Sequence, residues 1–153
     1  MLGSFPPAKK RWSMDFFYPN FTNDMWRIMG LVFFGDKDHF VDQEQKTFRK
    51  ECIIDFLNEQ GIALYDTATA VVRTKNTASD KDLEVVEPTD LFTKYFNMEQ
   101  PRVGASEPFV FDGRPMRLFR MPSSSRAYPM RVEQKAEYYQ ALFKSAENRK
   151  IAK

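Results

Sequence analysis

The sequence predicts a mixed α/β domain, and three observations carry that expectation. Met25, Trp26, Met29, Val32 and Phe33 recur at the three- and four-residue spacings of one helical face. A second apolar stripe, Phe48, Cys52, Ile53, Phe56 and Leu57, ends at Gly61 and passes at once into Ile62-Ala63-Leu64-Tyr65, a helix-to-strand step of the α/β kind. A strand-like run ending at Met121 leads through Pro122-Ser123-Ser124-Ser125-Arg126-Ala127 into a final amphipathic stretch. The length of 153 residues fits one domain, residues 1 to 153, rather than two. Fifteen Phe, two Trp and six Tyr supply enough apolar area to offset chain entropy, which excludes wholesale disorder.

In chain order, Gly3-Ser4-Phe5-Pro6-Pro7 breaks any regular element, because two prolines remove two backbone donors. The loop it opens runs through Lys9-Lys10-Arg11-Trp12 to Phe16-Phe17-Tyr18-Pro19-Asn20. Thr22 or Asn23 caps the first helix and Gly35 stops it. The second helix is expected from about Lys46 to Gln60, with Gly61 as its left-handed cap. Ile62 to Tyr65 forms a short buried strand, continued as strand or loop to Val72, and Thr74 to Asp82 is polar. Glu87-Pro88-Thr89-Asp90 reads as a helix start, with proline in the first turn and Leu91, Phe92, Tyr95 and Phe96 behind it. Phe109 to Arg114 and Met116 to Met121 read as two strands around an Asp112-Gly113 turn. Val132, Ala136, Tyr139, Leu142, Phe143 and Ala146 define the last helix.

One Cys and one His exclude a four-ligand zinc site of the Cys/His type, a cysteine-held iron–sulfur cluster and an internal disulfide, so any metal chemistry would use carboxylates alone. No apolar run approaches a membrane span, and Met1 to Arg11 has no apolar core of the signal-peptide type, so a cytoplasmic protein is expected. The net charge of +2 is unevenly spread: residues 35 to 100 hold eight basic against fourteen acidic side chains, while both flanks are net positive. Basic ends that met in space would track a phosphate backbone; apart, they are solvated surface. No Gly-x-Ser-x-Gly, P-loop, dinucleotide fingerprint or His-Glu-x-x-His occurs. His39, within Asp36-Lys37-Asp38-His39-Phe40, reads as a solvated histidine.

Each candidate functional stretch also has a plain structural reading. A Ser123-Ser124-Ser125-Arg126 loop after a strand lies where open α/β sheets bind ligands, and three serines also make a good turn and helix cap. Three consecutive aromatics, Phe16, Phe17 and Tyr18, cannot all face one core; one can stack on a nucleobase, or the three can pin the loop. Asn23 can donate and accept through one amide, as a base edge requires, or cap the helix.

Taken in order, Met1-Leu2-Gly3-Ser4-Phe5-Pro6, Phe16-Phe17-Tyr18-Pro19-Asn20, Asn23-Asp24-Met25-Trp26-Arg27-Ile28 and Leu118-Phe119-Arg120-Met121-Pro122-Ser123-Ser124-Ser125-Arg126-Ala127 resemble the uracil-DNA glycosylase superfamily, most nearly its hypoxanthine-DNA glycosylase-like branch. Ile62 to Asp66 and Ala78-Ser79-Asp80 resemble the intervening family segment. The resemblance implies a three-layer α/β/α sandwich around a short, mostly parallel sheet, shortened between Thr89 and Gly104. It further implies a monofunctional DNA glycosylase of base excision repair that flips a deaminated base, uracil or hypoxanthine, and hydrolyses its N-glycosidic bond without metal or cofactor. Phe16, Phe17 or Tyr18 would stack on the base and Asn23 would read its edge, while the backbone amides of Ser4 and Phe5 would stabilise the departing base. Ser123, Ser124 and Ser125 would grip phosphates, with Arg126 as charge partner or wedge and Lys9, Lys10 and Arg11 as further DNA contacts. The expected partner is damaged double- or single-stranded DNA, met by a monomer. Ser4 and Phe5 stand where other branches carry a water-positioning carboxylate or amide, so that task falls on Asn23. If it is unmet, the same scaffold is a weak or inactive nucleic-acid- or nucleotide-binding module.

Overall fold

A computed structural model describes residues 1–3, 6–75, 83–88 and 103–151. It is a mixed α/β structure with three α-helices and small parallel and antiparallel strand pairs among those residues. The chain divides into two compact units, Met1–Phe21 with Phe40–Met98, and Thr22–His39 with Glu99–Lys153.

In the first unit, β1 (Leu2–Gly3) runs parallel to β4 (Tyr65–Asp66), with Gly3 opposite Asp66. The Tyr65 N–H donates to the Met1 carbonyl and the Thr67 N–H to the Gly3 carbonyl, which carries the parallel ladder past both ends. β2 (Val41–Asp42) and β3 (Thr47–Phe48) form a tight antiparallel pair. That pairing moves the start of the second helix: α2 spans Lys50–Gln60, not Lys46 onward, because Thr47 and Phe48 are committed to the strand. Phe48 is still buried, from the strand rather than from a helix face, and tilts against Phe21 with ring centroids 5.4 Å apart. Phe40, Val41, Ile53, Phe56 and Leu57 complete this core, with Phe40 and Phe56 centroids 5.1 Å apart. Gly61 caps α2 at φ 65°, and the Ile62 N–H donates to the Leu57 carbonyl at 2.9 Å, so helix turns directly into the segment that leads to β4. The strand itself is Tyr65–Asp66, later than the expected Ile62 to Tyr65.

β5 (Ala68–Arg73) pairs antiparallel with β6 (Leu83–Pro88). Glu87 and Pro88 therefore end a strand, opposite Ala70 and Ala68, and do not begin a helix. Thr89 to Phe96 lie outside the described residues, as do Ala78-Ser79-Asp80.

In the second unit, α1 (Met25–Phe34) is buried on every side of its first two turns, Met25 to Gly30. α3 (Val132–Ile151) packs against it, and Phe33 meets Phe143 at 4.9 Å between centroids. α1 ends where expected: Gly35 sits at φ 67°, and the Asp36 N–H reaches back to the Gly30 carbonyl. β7 (Gly104–Ala105) pairs with β10 (Phe119–Arg120). β8 (Phe109–Phe111) and β9 (Arg114–Met116) form the expected hairpin, with Asp112 and Gly113 both at positive φ, 47° and 70°, as a type I′ turn requires. The strand expected over Met116 to Met121 is split, since Met116 closes the hairpin and Phe119–Arg120 pairs elsewhere.

Candidate functional site

The predicted site residues fall into two clusters, one in each unit. In the first unit the Gly3 strand end, Tyr18 and Asp66 converge. A Cβ at Gly3 would lie 2.8 Å from the Tyr18 hydroxyl oxygen and 3.3 Å from Asp66 Oδ1, so both polar groups border the space a side chain at residue 3 would fill. A larger residue there would have to push the tip of the Tyr18 side chain aside. Tyr18 reaches it from a left-handed backbone, φ 50°, which is a rare conformation for a bulky residue and rarer before a proline. Such strain persists only where the surroundings hold it, and it concentrates at functional sites. Here Pro19 is buried and its carbonyl accepts from both the Ser13 N–H and the Ser13 hydroxyl, each at 2.8 Å.

Asp66 is half-buried, and loss of hydration pushes its carboxyl up from 3.8 to about 6. A carboxyl poised there exists in both protonation states near neutral pH, so it can donate or accept. In the sequence Asp66 stands in a strand-or-loop continuation and at the end of the Ile62 to Asp66 segment, with no mark of a titrating group. Its signal was register: the last residue of a strand paired to the Gly3 turn. Phe16 and Phe17 meet edge to face at 5.4 Å. Ser4 and Phe5 lie outside the described residues. Beyond them, Arg73 donates to the Pro6 carbonyl at 3.0 Å and Trp12 Nε1 to the Pro7 carbonyl at 2.7 Å, which fixes the double-proline segment. Lys9, Lys10 and Arg11 form a single exposed 3₁₀ turn, with the Lys9 ammonium 5.8 Å from the Trp12 ring centroid.

In the second unit, the Ser123–Arg126 loop is drawn onto the start of α1. Asn23 and Ser125 form an isolated antiparallel bridge, and the Asp24 N–H donates to the Ser124 carbonyl at 2.9 Å. The N-cap of α1 is Asp24, without a side-chain cap bond, rather than the expected Thr22 or Asn23; Asn23, one residue earlier, accepts the first helical N–H, that of Met25, through Oδ1 at 2.9 Å. Arg126 donates through Nε and Nη2 to Asp24 Oδ1, at 3.2 and 3.1 Å, while its side chain is 52% exposed. The Arg126 guanidinium is thus paired with a carboxylate of its own unit. The Ser123 hydroxyl accepts the Ser125 N–H and the Ser125 hydroxyl accepts the Ala127 N–H, at 3.2 and 3.3 Å, as local turns.

Two members of this cluster escaped sequence reading. Asp24 was one letter of a motif, and Lys135 a charged letter inside an apolar stripe. Lys135 is fully buried, and its ammonium donates to Asp24 Oδ2 at 3.0 Å and to the Ser125 carbonyl at 2.8 Å. Arg27 is also buried; burial first, then the nearby Arg126 charge, lowers its pKa, while Asp24 and Asp38 oppose the shift. Tyr139 donates to the Pro122 carbonyl at 3.4 Å, and burial pushes its phenol up to about 12.

Among the described residues no three His, Cys, Asp or Glu side chains gather as a metal site. No helix among them is long and apolar enough to cross a membrane. No family model matches the chain, and neither a curated protein nor a solved structure matches it.

Proposed function

We propose that the protein is a monofunctional DNA glycosylase, which flips a deaminated base, uracil or hypoxanthine, and hydrolyses its N-glycosidic bond on a shortened three-layer α/β/α scaffold of the uracil-DNA glycosylase type. It would act as a monomer in the cytoplasm. The observation that supports this most is the convergence of Tyr18 and Asp66 on Gly3, because it joins the aromatic run and the glycine turn that carry the resemblance. A strained Tyr18 beside a proton-carrying carboxyl suits a planar, hydrogen-bonding ligand better than it suits a loop merely pinned to a core.

The chemistry follows from charge. Cleavage leaves positive charge on the sugar and negative charge on the departing base, so donors aimed at the base stabilise the transition state more than the ground state. Asp66 in its protonated form and the Tyr18 hydroxyl are such donors in the first unit. The second unit, taken by itself, offers the carboxamide N–H of Asn23 and the O–H groups of Ser123 and Ser125, whose oxygens accept local amides, as donors to a nucleic acid. Duplexes containing deoxyuridine or deoxyinosine, incubated with the protein and then treated with alkali, should break at the lesion. Asn23→Asp keeps an acceptor for the Met25 N–H yet loses the donor, so it should fold and cleave poorly. Both lesions left intact by folded wild-type protein would sink the proposal.

A second reading has its own support. The Asn23 carbonyl and the Ser123 and Ser125 hydroxyls are engaged in local caps and turns, which fits a scaffold that binds nucleic acid without hydrolysing it. That reading expects salt-dependent DNA binding with no abasic product.

A further inference from the structure

β6 is a strand with nothing packed behind it. On β5, Ala68 is buried and Ala70, Val71 and Arg73 are half-buried, so that strand rests on the protein. On β6 every residue from Glu84 to Pro88 is exposed, and valines lie open on both faces of the ribbon: Val86 is 62% exposed, and Val85, on the opposite face, 44%. Among the described residues β6 pairs with β5 alone, and the one further bond to its main chain, from the Thr69 hydroxyl to the Glu87 carbonyl, also comes from β5. The outer edge thus presents backbone N–H and C=O groups as a template for another strand, as far as Pro88, which has no N–H to give.

Charge decides which strand. Residues 80–90 hold five acidic side chains and one basic, and on the strand itself Glu84 and Glu87 bracket Val85-Val86. Natural edges carry charges against self-association, and this pair acts in that sense. Antiparallel pairing of two copies about the Val85-Val86 centre sets each Glu84 opposite a Glu87, and parallel in-register pairing sets each glutamate opposite its like. A nucleic acid meets the same repulsion. The two glutamates that turn those away attract lysine or arginine, and the open valines between them offer β-branched side chains a surface on each face. A matching strand carries basic residues three apart with two β-branched residues between, a pattern that reads the same in either direction.

We propose that the outer edge of β6 is a docking site for a basic, extended peptide of another protein, which adds to the ribbon as a third strand. Neither cluster described above contributes to it, so it is independent of the reaction proposed there. Its test uses the full chain and a fluorescein-labelled peptide, Thr-Lys-Val-Val-Lys-Thr, read by fluorescence anisotropy. This peptide should bind about tenfold more tightly than Thr-Glu-Val-Val-Glu-Thr, and Glu84→Lys with Glu87→Lys, two exposed changes, should reverse that order. Strand addition also has a main-chain signature, because successive residues of a strand turn their N–H groups to opposite sides. Of two lysine peptides N-methylated at alternate residues, one at the odd positions and one at the even, one should keep its affinity and the other lose about tenfold. Loss in both, or in neither, would mean that the peptide is not held as a strand, and would overturn the proposal. Binding that ignores the Glu84 and Glu87 reversal would overturn it too, as would no binding of the lysine peptide at millimolar concentration. A wild-type dimer in sedimentation that Val86→Lys dissociates would assign the edge to a second copy instead, and would also overturn it.

Discussion

Asp66 carries a titration whose sign is fixed by burial. Its carboxyl rises from 3.8 to about 6 on folding, so between those values the folded chain binds more protons than the unfolded one, and stability falls as pH rises through that window. Asp66→Asn removes the titration. Its melting temperature relative to wild type should therefore climb from pH 4 to pH 6.5 and then level off; a difference that stays flat across that range would contradict a buried, proton-holding Asp66. Asp24 makes a different prediction. Replacing it by alanine strands the Lys135 ammonium in a fully buried position, which costs about 3–5 kcal/mol in chemical denaturation. Lys135→Met in the same chain should recover much of that loss. Neither residue announces itself in the sequence, because a carboxylate beside a helix start reads as a cap and a lysine in an apolar stripe reads as its border. Burial and ion pairing are decided by segments more than a hundred residues apart, whereas the start of α1 was legible from its immediate neighbours to within a residue or two: the cap is Asp24, with Asn23 beside it accepting the Met25 N–H.

At the scale of elements, what was legible is what local geometry decides. Gly35 and Gly61 end their helices in the left-handed conformation that glycine adopts without a Cβ penalty, and Asp112-Gly113 makes the turn its dihedrals favour. Where pairing partners decide, sequence periodicity misplaced the boundary: Thr47 and Phe48 left the helix for a strand, and Glu87-Pro88 closed a strand against Ala68 and Ala70. One glycine has a hidden role. A Cβ at Gly30 would come within 2.3 Å of the Asp36 carbonyl oxygen, since the chain folds back over α1 just after Gly35. Gly30→Ala gains about 1 kcal/mol of helix propensity, yet should destabilise the protein by roughly 1–3 kcal/mol because the capping segment must move away. A melting temperature raised by Gly30→Ala would show that the cap yields freely.

Across the whole molecule, composition and charge set the limits within which the proposed chemistry works. A chain with one Cys and one His has no soft-ligand metal site to draw on, so the proposed reaction rests on hydrogen-bond donors, aromatic faces and fixed charge. Both charged features proposed for DNA, the Lys9–Arg11 turn and the Arg126 loop, lie on the net-positive flanks of the sequence. Lys9→Ala with Lys10→Ala and Arg11→Ala should weaken duplex binding and lower the salt slope by up to about three. The mixed α/β class was readable from three local patterns, but the expected mostly parallel sheet was not: among the described residues one strand pair, β1 with β4, is parallel and the other four are antiparallel. The clusters were not readable either, since each depends on which strand end or loop the chain returns to. The central claim is hydrolysis of a glycosidic bond, and mass spectrometry of a lesion-bearing duplex after a single turnover tests it most directly. Loss of uracil or hypoxanthine with gain of one hydroxyl, on an otherwise intact strand, is the predicted result. A strand of unchanged mass, bound by folded protein in a salt-dependent way, would contradict it and leave a DNA-binding module in its place.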